Sequence, residues 1–349
     1  MPLEALKKQL PKIGDSIVVI GNSKKAKIHI HTDQPGEVFS IVSQEGIIIQ
    51  EKIDDMYQQM LDMKTAAQRK ICIVVDSTFD MDPTLMERYN IHILPLHVKM
   101  NDMDHLDPFS IDTDTFYAWM KTSPYHPTTS QVSLADAERM FKWTSKLYDH
   151  TIALTIAKVD SGTYQSVSKA AELVSPDTIT VIDTKTGSGA SSLLALEAAK
   201  SIEQGKSHEE IIKDLYEKRP AAELLIAIKT LQHLFRGGRL SKSLFYIGKA
   251  LGLQPIITAD SEGKLIPFAK VLGGRKKVLK RLLSEVLKKT STYARPKFII
   301  SHANEPQEAQ WMKKVLSEKT SSPFISVTTM GPVLGSHGGP GTVVVSWLP

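Results

Sequence analysis

Hydroxyl, glycine and histidine side chains gather in a few short segments of this 349-residue chain. Pro127-Thr128-Thr129-Ser130-Gln131-Val132-Ser133 runs into an apolar-periodic stretch from Leu134, and Asp160-Ser161-Gly162-Thr163-Tyr164-Gln165-Ser166 follows an apolar run that ends at Ile156. Both read as hydroxyl-rich helix N-termini, where free backbone N–H groups favour an anion. Gly162 lets a ligand oxygen approach the backbone, whereas simple capping by Ser133 also explains the first segment. Asp76-Ser77-Thr78 closes the first strand of the larger region, at the edge where parallel sheets place ligands, and serves equally as a helix cap. Gly331-Pro332-Val333-Leu334-Gly335-Ser336-His337-Gly338-Gly339-Pro340-Gly341 holds five glycines around one histidine. A turn needs one or two, so the segment reads as a loop whose backbone approaches a ligand, with His337 a donor to a carboxylate or a proton carrier. Arg236 and Arg239 stand with Gly237 and Gly238 ahead of a helix, which suits a phosphate or carboxylate contact or a surface turn. His29 and His31 point to one face of a strand and are candidates to share a metal. No third ligand is evident, because Cys72 is distant and Asp33 lies in a turn, so the pair is read as structural.

The elements that must position these residues follow from periodicity. Residues 1–52 form a small α+β piece: strands Ser16–Ile20 and Lys25–His31 in a hairpin, helix Glu37–Ser43 and strand Gly46–Gln50. Residues 53–69 form a connecting helix. From Lys70 apolar strands alternate with helices around a largely parallel sheet, with strands at Ile71–Val75, Ile91–Val98, Thr151–Ile156 and Thr178–Asp183. Helices are expected at Pro83–Tyr89, Thr113–Lys121, Leu134–Lys146, Tyr164–Val174, Ser188–Gln204 and His208–Arg219. A second lobe, 223–349, begins with strand Leu224–Lys229. Helices Leu231–Phe235 and Ser241–Leu251, a hairpin of Ile256–Ala259 and Leu265–Val271, helix Arg275–Lys289, strand Lys297–Ser301, helix Pro306–Glu318 and strands Phe324–Thr328 and Thr342–Trp347 complete it. The fold class is α/β, with lobes at 70–222 and 223–349 and a cleft between them, where small ligands sit.

Composition excludes several classes. Apolar runs such as Ile152–Ala157 suit buried strands rather than membrane spans. A single cysteine and no apolar leader point to a cytoplasmic, reducing location. Net charge is 43 − 38 = +5. Its most visible basic run, Arg275 to Lys289, is interleaved with Val278, Leu279, Leu282, Leu283 and Val286 at helical spacing and reads as a solvated helix face. Without an aromatic stripe or helix-turn-helix signature, nucleic-acid binding is not expected.

Together these segments resemble the DegV family of bacterial fatty-acid-binding proteins. The match runs in order through VVDST at 74–78, TSQVS at 129–133, SGTYQS at 161–166, RGGRLS at 236–241, GGRKK at 273–277 and GPVLGSHGGPG at 331–341. The resemblance implies a two-lobed DegV-like fold, with a parallel-sheet first lobe, a mixed-sheet second lobe and a lipid cleft. It implies that the chain encloses a long-chain fatty acid and presents its carboxylate to a separate fatty acid kinase, which makes an acyl phosphate for phospholipid synthesis. The carboxylate-binding groups would then be Thr129, Ser161, the Gly162 amide and His337. Arg239 and Arg275 would serve phosphate transfer or kinase docking, with Asp76, Ser77, Gly335 and Gly338 in supporting loops. No catalytic residue, metal or cofactor is implied. Where the family has SSGLSGTYQSA this chain has AKVDSGTYQSV, so Asp160 must point away from a bound carboxylate or pair with Lys158. Residues 14–50 resemble the end of the middle domain of dihydroxyacetone-kinase-like fatty acid kinases. That resemblance implies a truncated version or the C-terminal portion of a longer fusion, and there is no Walker A sequence.

Two rival readings stay open. A serine esterase would use Ser161 as nucleophile, His337 as base and residues 337–341 as an oxyanion loop, but the chain has no GxSxG elbow. A regulatory module of a larger kinase would bind lipid only as a sensor, which the 14–50 segment favours.

Overall fold

The computed structural model describes residues 3–22, 24–67, 69–240, 242, 245 and 254–349. The helix expected at Ser241–Leu251, apart from Lys242 and Phe245, lies outside the described residues.

The N-terminal piece pairs β1 (Asp15–Gly21) antiparallel with β2 (Ala26–His31). One face of this hairpin, with Ile17, Val19, Ile28 and Ile30, packs on Leu6, Leu10 and Val38. Its helix spans Pro35–Glu45. The strand expected at Gly46–Gln50 does not form: Ile47 and Ile49 are 88% and 82% exposed, and without a partner strand two alternating isoleucines do not make a sheet. His29 and His31 meet edge to face at 5.1 Å between ring centres. Among the described residues no group of three or more His, Cys, Asp or Glu is placed to hold a metal.

The connecting helix is Met56–Thr65, capped by Asp55, whose side chain accepts from the Gln58 amide. Its fully buried Asp62 fastens it to the following lobe. Trp143 Nε1, Tyr148 OH and Asn90 Nδ2 donate to the Asp62 carboxylate at 2.6, 2.9 and 3.0 Å, and His92 Nε2 lies 3.0 Å away. Burial opposes charge on both groups of this pair. Their partners outweigh it: hydrogen bonding and the charge of His92 hold Asp62 at about 2, and the charge of Cys72, then the hydrogen bond to Asp62, hold His92 at about 10.

The first lobe holds a four-stranded parallel sheet of β3 (Ile71–Asp76), β4 (Ile91–Leu94), β8 (His150–Thr155) and β9 (Ile179–Asp183), in the order β4-β3-β8-β9. A separate antiparallel sheet, order β6-β5-β7, contains β5 (Leu96–Met100), β6 (Met103–Asp107) and β7 (Thr128–Ser130). The single strand expected at Ile91–Val98 is therefore two strands in two sheets. Pro95, which lacks an amide hydrogen for the ladder, falls at the break.

The second lobe is one mixed sheet, order β12-β11-β10-β15-β13-β14, built from β10 (Glu223–Ala227), β11 (Gln254–Ala259), β12 (Leu265–Val271), β13 (Lys297–His302), β14 (Phe324–Thr329) and β15 (Val343–Leu348). Only β13 and β14 pair in parallel within it. Helix Arg275–Lys289 covers it with Val278, Leu279, Leu282, Leu283 and Val286 buried.

Helix Ser188–Glu203 lies between the sheets, against β3 and β8 of one lobe and β10, β13 and β15 of the other. A helix buried all round needs small residues where backbones crowd. Its Gly189 is such a place, since a Cβ there would lie 2.7 Å from Ile299. The core around this helix draws residues from both lobes, including Val74, Leu194, Ile299 and Val344. No helix among the described residues is long and apolar enough to cross a membrane.

Candidate functional site

Thr129 does not sit at a helix N-terminus. It occupies β7, opposite Val98 of β5, and the following helix Leu134–Leu147 is capped by Ser133, whose Oγ accepts from the Asp136 amide. The Thr129 hydroxyl reaches across the lobes to His337, with 3.0 Å between Oγ1 and Nε2.

His337 is not in a loop either, because Pro332–Gly338 is a helix with Pro332 at its start. The Gly331 and Val333 amides at that start donate to Asp80 and Asp107 of the first lobe, each at 3.1 Å. Ser188 Oγ donates to the other Asp80 oxygen at 2.6 Å. Burial lifts Asp80 to about 6 and Asp107 to about 7, the latter also through the charges of Asp80 and Asp76. The glycines of this segment serve packing. A Cβ on Gly335 would come within 2.4 Å of Tyr117 OH, one on Gly338 within 2.9 Å of Thr342, and Gly339 has φ +78°. Burial, then Arg239 and His126, push His337 down to about 3, so it is a neutral imidazole at physiological pH.

Ser161 and Gly162 open helix Thr163–Val174, with Gly162 at the N-cap. Ser161 Oγ accepts from the Thr163 amide at 3.2 Å and lies 2.9 Å from the Thr163 hydroxyl. The Val132 amide donates to Thr163 Oγ1 at 3.4 Å, and the Gln131 side chain lies over Gly162 where a Cβ would be. The 129–133 and 161–163 segments therefore meet, and their hydroxyls and helix-start amides share one region with a neutral ring of the other lobe. That set of donors suits a carboxylate.

Arg239 clasps the lobes together. Its Nε and Nη2 both donate to the Asp160 carbonyl, at 3.1 and 2.9 Å, and Nη1 donates to the Gly237 carbonyl at 2.7 Å. Lys158 reaches Asp183 at 4.0 Å and not Asp160, so of the two alternatives for Asp160 the pairing with Lys158 is not the one adopted. Burial raises Asp160 to about 6, Arg239 and Lys264 oppose the rise, and Asp260 adds to it.

The remaining candidates sit elsewhere. Arg275 is occupied within its own lobe: it forks onto Glu308, with Nη2 to Oε2 at 2.7 Å, and donates to the Gly341 and Ala227 carbonyls. Asp76 is fully buried and raised by that burial, accepting from the Thr78 and Ile156 amides at 2.9 and 2.7 Å. Ser77 Oγ accepts from the Leu96 amide at 3.1 Å. Sequence reasoning missed Asp80, Asp107, His126 and His233. Asp80 follows Asp76 closely enough to have been read with it; the other three carry no local signal.

Comparison with known proteins bears on the family and the fold. The model of the DegV family, described as an uncharacterised protein family, matches residues 70–349, and the model of the FakA-like fatty acid kinase middle domain matches residues 1–63. The chain belongs to the DegV family. It is 30% identical over 279 residues to Protein DegV of Bacillus subtilis, covering 79% of this chain and 98% of that one. A DegV domain-containing protein of Caldanaerobacter subterraneus is 31% identical over 273 residues, covering 78% and 96%. Among solved structures, one titled for the fatty acid binding of a DegV family protein from Thermus thermophilus superposes with a TM-score of 0.74 at 27% identity, covering 80% of this chain and 99% of that one. A structure titled as DegV, a fatty acid binding protein from Bacillus subtilis, gives 0.72 at 29% identity with 80% and 99% covered.

Proposed function

We propose that this chain binds a long-chain fatty acid between its lobes and presents the carboxylate to a fatty acid kinase for acyl-phosphate formation. Thr129, Ser161, the Gly162 amide and His337 hold the carboxylate. The cross-lobe contact of Thr129 with His337 carries this reading, because it joins two segments of different lobes in a family several of whose solved members are titled fatty acid binding. Residues 70–222 and 223–349 act as the two lobes, with 53–69 linking them to the kinase-like piece at 1–52.

Burying about 14 methylenes of palmitate at roughly 0.8 kcal/mol each gives a gross drive of about 11 kcal/mol, before ordering costs. The hydroxyls contribute about 1.5–3 kcal/mol each to a charged head group, largely offset by desolvation. The tail thus supplies affinity and the polar groups fix position. The kinase-like match at the N-terminus supports a kinase partner, with Arg239 beside the head group as a phosphate or kinase contact. The test is to supply the purified chain, loaded with palmitate, to a catalytically competent fatty acid kinase with ATP. Acyl phosphate is expected only when the chain is present, and its absence under those conditions refutes the presentation role.

A further inference from the structure

A second cross-lobe pair lies beside the first. His126, three residues before Thr129, stacks at a tilt against His233 of helix Gln232–Arg236, with ring centres 5.6 Å apart. His233 also lies over the Gly339 backbone, where a Cβ would come within 2.1 Å of its ring, and a Cβ on Gly237 would come within 2.2 Å of His337 Nδ1. The three rings are thus packed around backbone that only glycine makes room for. His126 Nε2, His233 Nδ1 and His337 Nδ1 are buried and have no hydrogen-bond partner among the described residues. Unpartnered buried nitrogens are costly and call for an explanation.

We propose that His126, His233 and Arg236 form a subsite for a phosphoryl-type dianion, adjoining the carboxylate position at Thr129 and His337. The inference rests on the fatty-acid reading for its occupant, the phosphorylated head group of the acyl chain. A carboxylate is already served by the hydroxyls of Thr129 and Ser161. The additional groups are all cations or able to become so, and the charged and titratable neighbours that act on the three rings are each other, Arg236 and Arg239, with no carboxylate among them. Burial comes first among the causes that hold the rings neutral, and these like charges come second. A dianion reverses the second cause, drawing protons onto His126 and His233. Two imidazolium rings and a guanidinium then present several N–H donors to three phosphoryl oxygens.

The test compares palmitate with hexadecylphosphonate on the full chain and on His126→Phe, His233→Phe and Arg236→Gln, by calorimetry. Phenylalanine keeps the ring packing and removes the nitrogens. Phosphonate affinity is expected to fall about tenfold or more in each variant, with palmitate affinity within about twofold of the parent. Equal losses for both ligands, or none for phosphonate, overturn the subsite. Inorganic phosphate titrated into the unsubstituted chain provides an independent arm that needs no variant to fold. Ring-nitrogen NMR shifts of His126 and His233 should move toward the imidazolium values, and their constancy overturns the proposal. Failure of palmitate to bind at all would instead remove the fatty-acid reading, while the phosphate titration would still decide the subsite.

Discussion

Thr129→Val separates the role of the head-group contact from that of the tail. The two side chains have nearly the same volume, so β7 and its pairing with Val98 are retained, while the hydroxyl 3.0 Å from His337 Nε2 is lost. A hydrogen bond to a charged group contributes about 1.5–3 kcal/mol, which converts to about a 10- to 150-fold loss in palmitate affinity. A ligand with the same tail and an uncharged end, such as palmitoyl methyl ester, should lose about threefold or less, because a neutral hydrogen bond contributes only about 0.5 kcal/mol at the low end of its range. Calorimetry on both ligands, with the folded state checked by circular dichroism, gives the ratio. An unchanged palmitate affinity, or equal losses for palmitate and its ester, would refute the assignment of Thr129 to the carboxylate.

Further expectations follow from groups outside the head-group contact. Asp62→Ala should destabilise the region that joins the connecting helix to the first lobe by about 3–5 kcal/mol in chemical denaturation, since it strands a buried His92. The same pair sets a pH window. Asp62, held at about 2 against an ordinary 3.8, contributes stability above 3.8 that is lost as pH falls through 2. His92, held at about 10 against 6.5, contributes stability below 6.5 that is lost as pH rises through 10. The stability difference between the parent and Asp62→Asn should therefore be largest near pH 4–6.5 and shrink on either side, as read from denaturation midpoints. Gly335→Ala should cost about 1–3 kcal/mol, because its methyl would press on the buried Tyr117 hydroxyl; a thermal melt reads it.

Much of the scaffold was legible in sequence because its signals are local. Pro83 after Asp82 and the amphipathic Arg275–Lys289 stretch each mark a helix to the residue, since capping and periodicity act within a few turns. Pro95 was the local signal that went unread, and it divides what had looked like one strand. The 331–341 segment misled because glycine was taken for ligand approach, when Gly335 and Gly338 are small to admit Tyr117 and Thr342 and leave the helix intact. Thr129, Ser161 and His337 were legible as types. The contact of Thr129 with His337 goes with Asp80 and Asp107 gripping a helix more than 200 residues away, and the Arg239 clasp on the Asp160 carbonyl likewise joins distant segments. No residue-type pattern encodes a bond to a backbone carbonyl 79 positions away.

Whether the chain carries a fatty acid is read by mass spectrometry of lipid extracted from the purified protein, expressed in a bacterial host. A long-chain fatty acid in near-equimolar amount is the predicted result. Protein that yields no fatty acid and takes up none when palmitate is supplied would rule out fatty-acid binding by this chain.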